Sequence, residues 1–361
     1  MEEVEVKTET GNQKGKESQK EQPKSILDYD QGFRPEYRNR VKTVNVPGTV
    51  QEIPEDIVAR NDEEFVQKAG EPEEQESVEK HEQKESEKQL PEEELQKLDF
   101  RFAMQTDAWN MVVKLLSTLV SAVRLRYNRE SRSINARVVD PAHVAMYDIS
   151  IPGDVLIDRE AEDGITFVLD ISTMPKFKDG SLLYMSRKNG EFRILNNGLE
   201  QAIKELDVYS VTVPRIPLIN FDGMNSVNAT VSTAQLRNFF DVAQHVSDAV
   251  SFTAHREGLI TLSAKSDENK SEMVLDKDEH GGLIYMKMGY EVPTIKSSYP
   301  LEYILKVVKN ITMVTDVDIK FKEDYPMAIE FKLPPAKKKN KGYYLPGVIP
   351  VTFLLAPRMD Q

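Results

Sequence analysis

Residues 98–127, LDFRFAMQTDAWNMVVKLLSTLVSAVRLRY, decide the reading of the fold. Leu98, Phe100, Phe102 and Met104 alternate with Asp99, Arg101 and Ala103, the period-two pattern of a half-buried strand. Thr106 then stands at a helix N-cap position, with Asp107 in the first turn where its charge meets the positive end of the helix dipole. Trp109, Val112, Val113, Leu116, Leu119 and Val120 follow at spacings of three and four, which predicts an amphipathic helix. Asn110, Lys114, Ser117, Thr118 and Ser121 fall on its other side. Val123 to Tyr127 alternates again, and Asn128-Arg129-Glu130-Ser131 reads as a hairpin turn.

The series recurs 127 positions later. Val227 to Val231 is a strand, Ser232 or Thr233 an N-cap, and Leu236, Phe239, Phe240, Ala243 and Val246 a second apolar stripe. Ser121 to Leu125 aligns with Asp248 to Phe252. Short alternating strands continue each copy, among them Ile165 to Leu169, Leu259 to Ser263 and Val317 to Phe321. Each copy also has a second, weaker helical segment, Ser172 to Lys178 and Pro300 to Ile311. The repeat predicts an α+β fold made of one duplicated domain, antiparallel sheets with one face covered by helices. The domains are expected at 98–212 and 226–361, with a connector at 213–225.

Residues 1–97 differ in kind. They hold 26 acidic and 15 basic side chains, a net charge of −11, while the remaining 264 residues carry only −2. Blocks such as Glu71 to Glu76 and Glu82 to Lys88 lack apolar groups to offset ordering entropy of roughly 1–2 kcal/mol per residue. They read as a disordered acidic tail, with a richer patch from Tyr29 to Val66. The chain has no cysteine, which excludes disulfides and thiolate metal sites. Met1 is followed by Glu2, Glu3 and Glu5, unlike a secretory signal, and no run approaches the roughly 20 apolar residues of a membrane span.

The search for catalysis finds little. His81, His143, His245, His255 and His280 are scattered without metal-ligand spacing, and no phosphate loop or nucleophile elbow occurs. Asp140 and Asp170 are conceivable as a carboxylate pair, although single acids at strand ends are common. The expectation is a non-enzyme without metal or cofactor.

Four segments carry a resemblance. Val138 to Met146 (VVDPAHVAM), Gln244 to Val250 (QHVSDAV), Tyr325 to Phe331 (YPMAIEF) and, most specifically, Val351 to Arg358 (VTFLLAPR) resemble the proliferating cell nuclear antigen family of sliding clamps, in its archaeal form. The matches run in order over about 260 residues. The resemblance implies a closed ring, typically of three two-domain subunits, whose helices line a hole for double-stranded DNA, bound without regard to sequence. It implies a DNA replication and repair factor that tethers DNA polymerase, clamp loader, ligase and flap nuclease through short peptide motifs. It also implies a cytoplasmic protein of an archaeal-type cell, or a nuclear one if the source is eukaryotic.

Carried onto this chain, the DNA-facing cations are Lys114, Lys176, Lys178, Arg237, Lys306 and Lys309. Asp107, Asp241 and Glu302 near them predict a weakly positive hole, and Pro175 should shorten the second helix. Val139, His143, Val144, Met146, Pro326, Leu354, Ala356 and Pro357 match an apolar pocket for partner motifs, covered by Leu218 and Ile219 of the connector. Subunit contacts are expected along Leu206 to Val213 (Leu206, Val208, Ser210, Val211, Val213) and along Ser271 to Asp276 (Met273, Leu275). The loop Ala336 to Tyr344 is either a solvated basic hairpin or an extra DNA or loader contact. A second class of function stays open: a heteromeric ring member, or a checkpoint or transcription scaffold without a general sliding role. Mass in solution distinguishes the two classes.

Overall fold

The computed structural model describes residues 92–156, 158–178, 180–223, 225–277, 281–289, 292–334 and 347–358. The acidic segment before Glu92 and the basic loop 336–344 lie outside the described residues. The first half contains β1 (Phe100–Gln105), β2 (Ala122–Asn128), β3 (Ser133–Val139), β4 (Ala145–Ile151), β5 (Asp158–Glu160), β6 (Thr166–Asp170), β7 (Leu182–Lys188), β8 (Glu191–Asn196) and β9 (Leu199–Ala202). The second half contains β10 (Ser226–Ser232), β11 (Ala249–His255), β12 (Leu259–Lys265), β13 (Lys270–Leu275), β14 (Leu283–Met288), β15 (Thr294–Pro300), β16 (Asp316–Lys322), β17 (Met327–Leu333) and β18 (Ile349–Leu355).

The pairing confirms the duplication strand by strand. In each half the first strand lies between the fifth and the seventh, and the seventh continues to the eighth and ninth. The sixth, second, third and fourth strands form the other set in that order. Every ladder between these strands is antiparallel. The halves join where β18 pairs with β4, which makes one nine-stranded sheet across the domain boundary.

Residues opposite one another in an antiparallel ladder point to the same face. Val138, Tyr147, Phe353, Ile329, Ile319 and Ala229 form such a row across the boundary. All six are buried, and each large one contributes about 1.5–3 kcal/mol over leaving it exposed. Phe321, two residues from Ile319, meets Phe252, which in turn meets Phe240, so this face lies toward the helices.

Helix α1 (Glu92–Leu95) is one turn, and α2 (Thr106–Leu116) and α3 (Thr233–Ala243) follow the first strand of each half as expected. Their starts are satisfied differently from the sequence expectation. Thr106 and Thr233 do not cap with their hydroxyls; their amides donate to the carbonyls of Ser181 and Thr315. Helix α4 (Leu301–Asn310) buries Leu301, Ile304, Val307 and Val308 and touches both α2 and α3.

The helix expected from Ser172 to Lys178 does not form. Eleven residues separate β6 from β7, whereas fifteen separate β15 from β16, which is too few for a comparable helix and its return. Pro175 also lacks the amide a helix interior needs and disfavours the helical conformation of Met174. The segment instead straps across the start of α2. Thr106 Oγ1 donates to Lys178 O (2.8 Å), Asn110 Nδ2 to Phe177 O (2.8 Å), and Asp107 accepts from Gly180 N (3.1 Å).

The fold also begins earlier than the boundary read at Leu98. Gln96 Nε2 donates to Leu206 O (2.6 Å) and its Oε1 accepts from Val208 N (2.9 Å), which ties the incoming chain to the outgoing one.

Candidate functional site

Three helices lie in a row, with α4 between α2 and α3, and their solvent-facing sides carry four of the six cations singled out above. Lys114 on α2 and Lys309 on α4 are exposed. Lys309 Nζ donates to Gln244 Oε1 just beyond α3 (3.0 Å). Lys306 is half-buried, its ammonium 4.8 Å from the centroid of the Tyr303 ring, and Arg237 on α3 is half-buried as well. Lys176 and Lys178 are exposed but sit on the strap, not on a helix. Asp241 and Glu302 are exposed near these groups, so the positive character of the surface is modest.

The expected pocket falls on the opposite face of the nine-stranded sheet. Val139, Met146, Leu354 and Ala328 form one cross-strand row there. The connector passes nearby, held by Asn220 N donating to Tyr325 Oη (3.3 Å) and by an edge contact of Phe221 on the Tyr325 ring. Leu218 is 65% exposed and Ile219 and Val139 are half-buried, while His143 is exposed. Val144, Met146 and Ala356 correct the expectation, being almost wholly buried, and Leu354, Pro326 and Pro357 are also buried. Strand pairing and the closing loops cover them. A charge at Met146 would therefore test folding and not docking.

Asp140 has a role that motif reasoning missed. Its Oδ1 accepts from the amides of Val144 and Ala145 (both 2.7 Å), and its Oδ2 from Ala142 N (3.1 Å) and Tyr303 Oη (2.8 Å). The carboxylate thus builds the turn that places His143 at φ +58° and ties it to α4 of the other domain. Burial, reinforced by the bond to Asp140, raises the Tyr303 phenol well above its ordinary pKa and keeps it a donor. Asp170 engages Ser172 and is not Asp140's partner. The Asp-Pro pair, a common turn opener, was the available signal for this role.

The subunit edges also need correction in the first half. Met273 and Leu275 lie on β13, which is an edge strand as expected. Leu206 to Val213 is not a strand: Val208 to Ser210 form a 3-10 turn and Val208 is fully buried. Among the described residues, the edge strand that precedes this segment is β9, whose Leu199 is 78% exposed. Leu206 leaves the sheet because its amide donates to Val168 O inside the same domain. Close by, Arg187 is buried, donating to Leu98 O (2.7 Å), Thr166 O (3.1 Å) and Glu205 Oε1 (2.8 Å). Burial pushes the Glu205 carboxyl up and the Arg187 guanidinium down, each opposed by the other's charge.

Two like domains, helices on one face and a sheet across the boundary define a two-domain clamp subunit. No family model matches the chain. Curated relatives do: it is 32% identical over 254 residues to the DNA polymerase sliding clamp of Thermoplasma acidophilum, covering 69% of this chain and 95% of that one. The sliding clamp of Picrophilus torridus is 36% identical over the same shares. Among solved structures, PCNA of Thermococcus kodakaraensis superposes with a TM-score of 0.59 at 20% identity, over 72% of this chain and all of that one. A complex of the C-terminal region of FEN-1 with A. fulgidus PCNA gives 0.60 at 20% identity, over 73% and 99%. The chain belongs to the DNA polymerase sliding clamp family, in its archaeal-like branch.

Proposed function

We propose that this chain is a non-catalytic ring subunit that encircles double-stranded DNA and tethers DNA polymerase and other replication and repair enzymes. One observation carries the reading. Within the chain, the ninth strand of the second half (β18) pairs with the fourth strand of the first (β4). The equivalent strands of the complementary junction, β9 and β13, are both unpaired edges. A second copy supplies the missing partner at each, and three copies close a ring as the family resemblance implies.

The internal repeat also supplies a register. Val351 opposes Ile149 at the formed junction, and stepping through the matching ladders places Leu199 opposite Met273 at the unformed one. That contact would cover an exposed leucine and blunt two strand edges that otherwise invite aggregation. Lys114, Arg237, Lys306 and Lys309, with Lys176 and Lys178 on the strap, would then meet phosphates. A closed ring is retained by topology, so weak, sequence-blind contacts suffice. Tethering raises the local concentration of a polymerase at the primer end without any chemistry by the clamp. The apolar outer site would take the partners' motifs, and FEN-1 seen on a structural neighbour supports a flap nuclease among them. A cytoplasmic setting belongs to the same proposal.

Native mass spectrometry and primer extension on circular and linear templates test the reading. A trimer that raises processivity and stays on circular DNA but leaves linear DNA is expected. A monomer that assembles only with other subunits would favour the heteromeric alternative. Reversing all six cations without effect on processivity would remove the DNA-facing assignment.

A further inference from the structure

We propose that a groove on the outer face of the first domain binds an extended acidic peptide segment of a partner protein, at a site separate from the apolar row. The groove, about 860 Å³, lies between strands β2 to β4 and the chain from Val208 to Val213. Arg124 and Arg126 of β2 and Arg137 of β3 line its floor with Asn128 and Asn135. Two acids line it too, but both are engaged: Asp148 by Arg137 (3.2 Å) and Asp163 by the amide of Arg129 (2.7 Å). The Arg126 side chain is exposed and makes no hydrogen bond or ion pair among the described residues. Three arginines face two carboxylates, so the lining keeps one net positive charge.

The wall indicates what form the ligand takes. Val211 is extended (φ −127°, ψ 116°), and the main chain of Val211, Thr212 and Val213 has no hydrogen-bond partner among the described residues. An exposed extended segment beside a cationic floor suits strand addition, with main-chain bonds giving affinity and side-chain sites giving choice. A continuous phosphate backbone would leave the amides and carbonyls of the wall poorly used.

The second domain is an internal control. By the matching ladders, Arg124, Arg126 and Arg137 correspond to Ser251, Thr253 and Ser263, on a face where hydroxyls replace the guanidiniums. The fold thus accepts small polar residues at these positions, and the arginines are not there to hold the sheet together.

The test uses the full chain and a fluorescent ten-residue peptide of alternating Glu and Thr, with a Lys-Thr peptide and a short oligothymidylate as comparisons. The Glu-Thr peptide should bind in a chloride-sensitive way, and Arg126→Glu should weaken it about tenfold while Arg126→Lys retains it. An unchanged melting temperature shows that Arg126→Glu folds. No binding of the Glu-Thr peptide, equal binding of the Lys-Thr peptide, indifference to Arg126→Glu, or equal competition by oligothymidylate would each overturn the proposal.

Discussion

In the second half of the molecule, fifteen residues carry the chain from β15 to β16 and fold into α4, which presents Lys306 and Lys309 outward. In the first half, eleven residues run from β6 to β7 without a helix and bond to the polar side of α2. The strand pairing is the same in both. The difference extends to the junctions. Between the halves, seven-residue strands β18 and β4 meet with Tyr147 on Phe353, and α4 adds Tyr303 to Asp140. The complementary junction has only the four exposed residues of β9 to offer β13. In the proposed ring, one topology would give a strong joint inside the chain and a thin one outside it, so ring assembly should depend on concentration.

Arg187 breaks the comparison most severely. Its equivalent in the second half is Phe321, reached through the ladders Phe100–Arg187 and Val227–Phe321. Arg187→Phe should cost about 3–5 kcal/mol in urea unfolding, because Glu205, with 11% of its side chain exposed, loses its ionic partner. Adding Glu205→Leu should recover most of that loss. A single variant within about 0.5 kcal/mol of wild type would show that the pair does not matter to the first half.

Asp140 comes next. Asp140→Ala removes the acceptor for three amides and the Tyr303 phenol and should cost about 3 kcal/mol, whereas Tyr303→Phe should cost about 1 kcal/mol. Equal losses from the two would mean that the turn does not depend on the carboxylate. Leu199→Asp should leave thermal stability unchanged while weakening self-association about tenfold, or about 1.4 kcal/mol, read by sedimentation. Retained assembly would remove β9 from the interface. The smallest effect is expected from Pro175→Ala, within about 0.5 kcal/mol and with no gain in helical circular dichroism. A clear gain in helix would make proline, and not the short span, the reason the first half lacks its second helix.

Much of the fold was legible because its signals are local. The alternation at Leu98 to Met104, the stripe from Trp109 to Leu119 and their recurrence from Val227 each need only a few neighbours to be read. The site was less legible. Val139 and Met146 look alike as apolar residues near one motif, yet one is half-buried and the other wholly covered. The sequence offers no way to count the layers above a side chain. Leu206 to Val213, expected as a strand edge from the resemblance, loses its ladder to Val168 and Gln96, which lie 38 and 110 residues away from Leu206.

The amino-acid sequence by itself determined the duplication, the α+β class and the family, because periodicity and a few ordered motifs survive without contacts. Tertiary structure alone decided which strands end as free edges, which motif residues remain accessible, and that one of two equivalent segments is a strap and not a helix. Those outcomes depend on the lengths available between distant strands and on which backbone groups find partners, and both are properties of the closed fold.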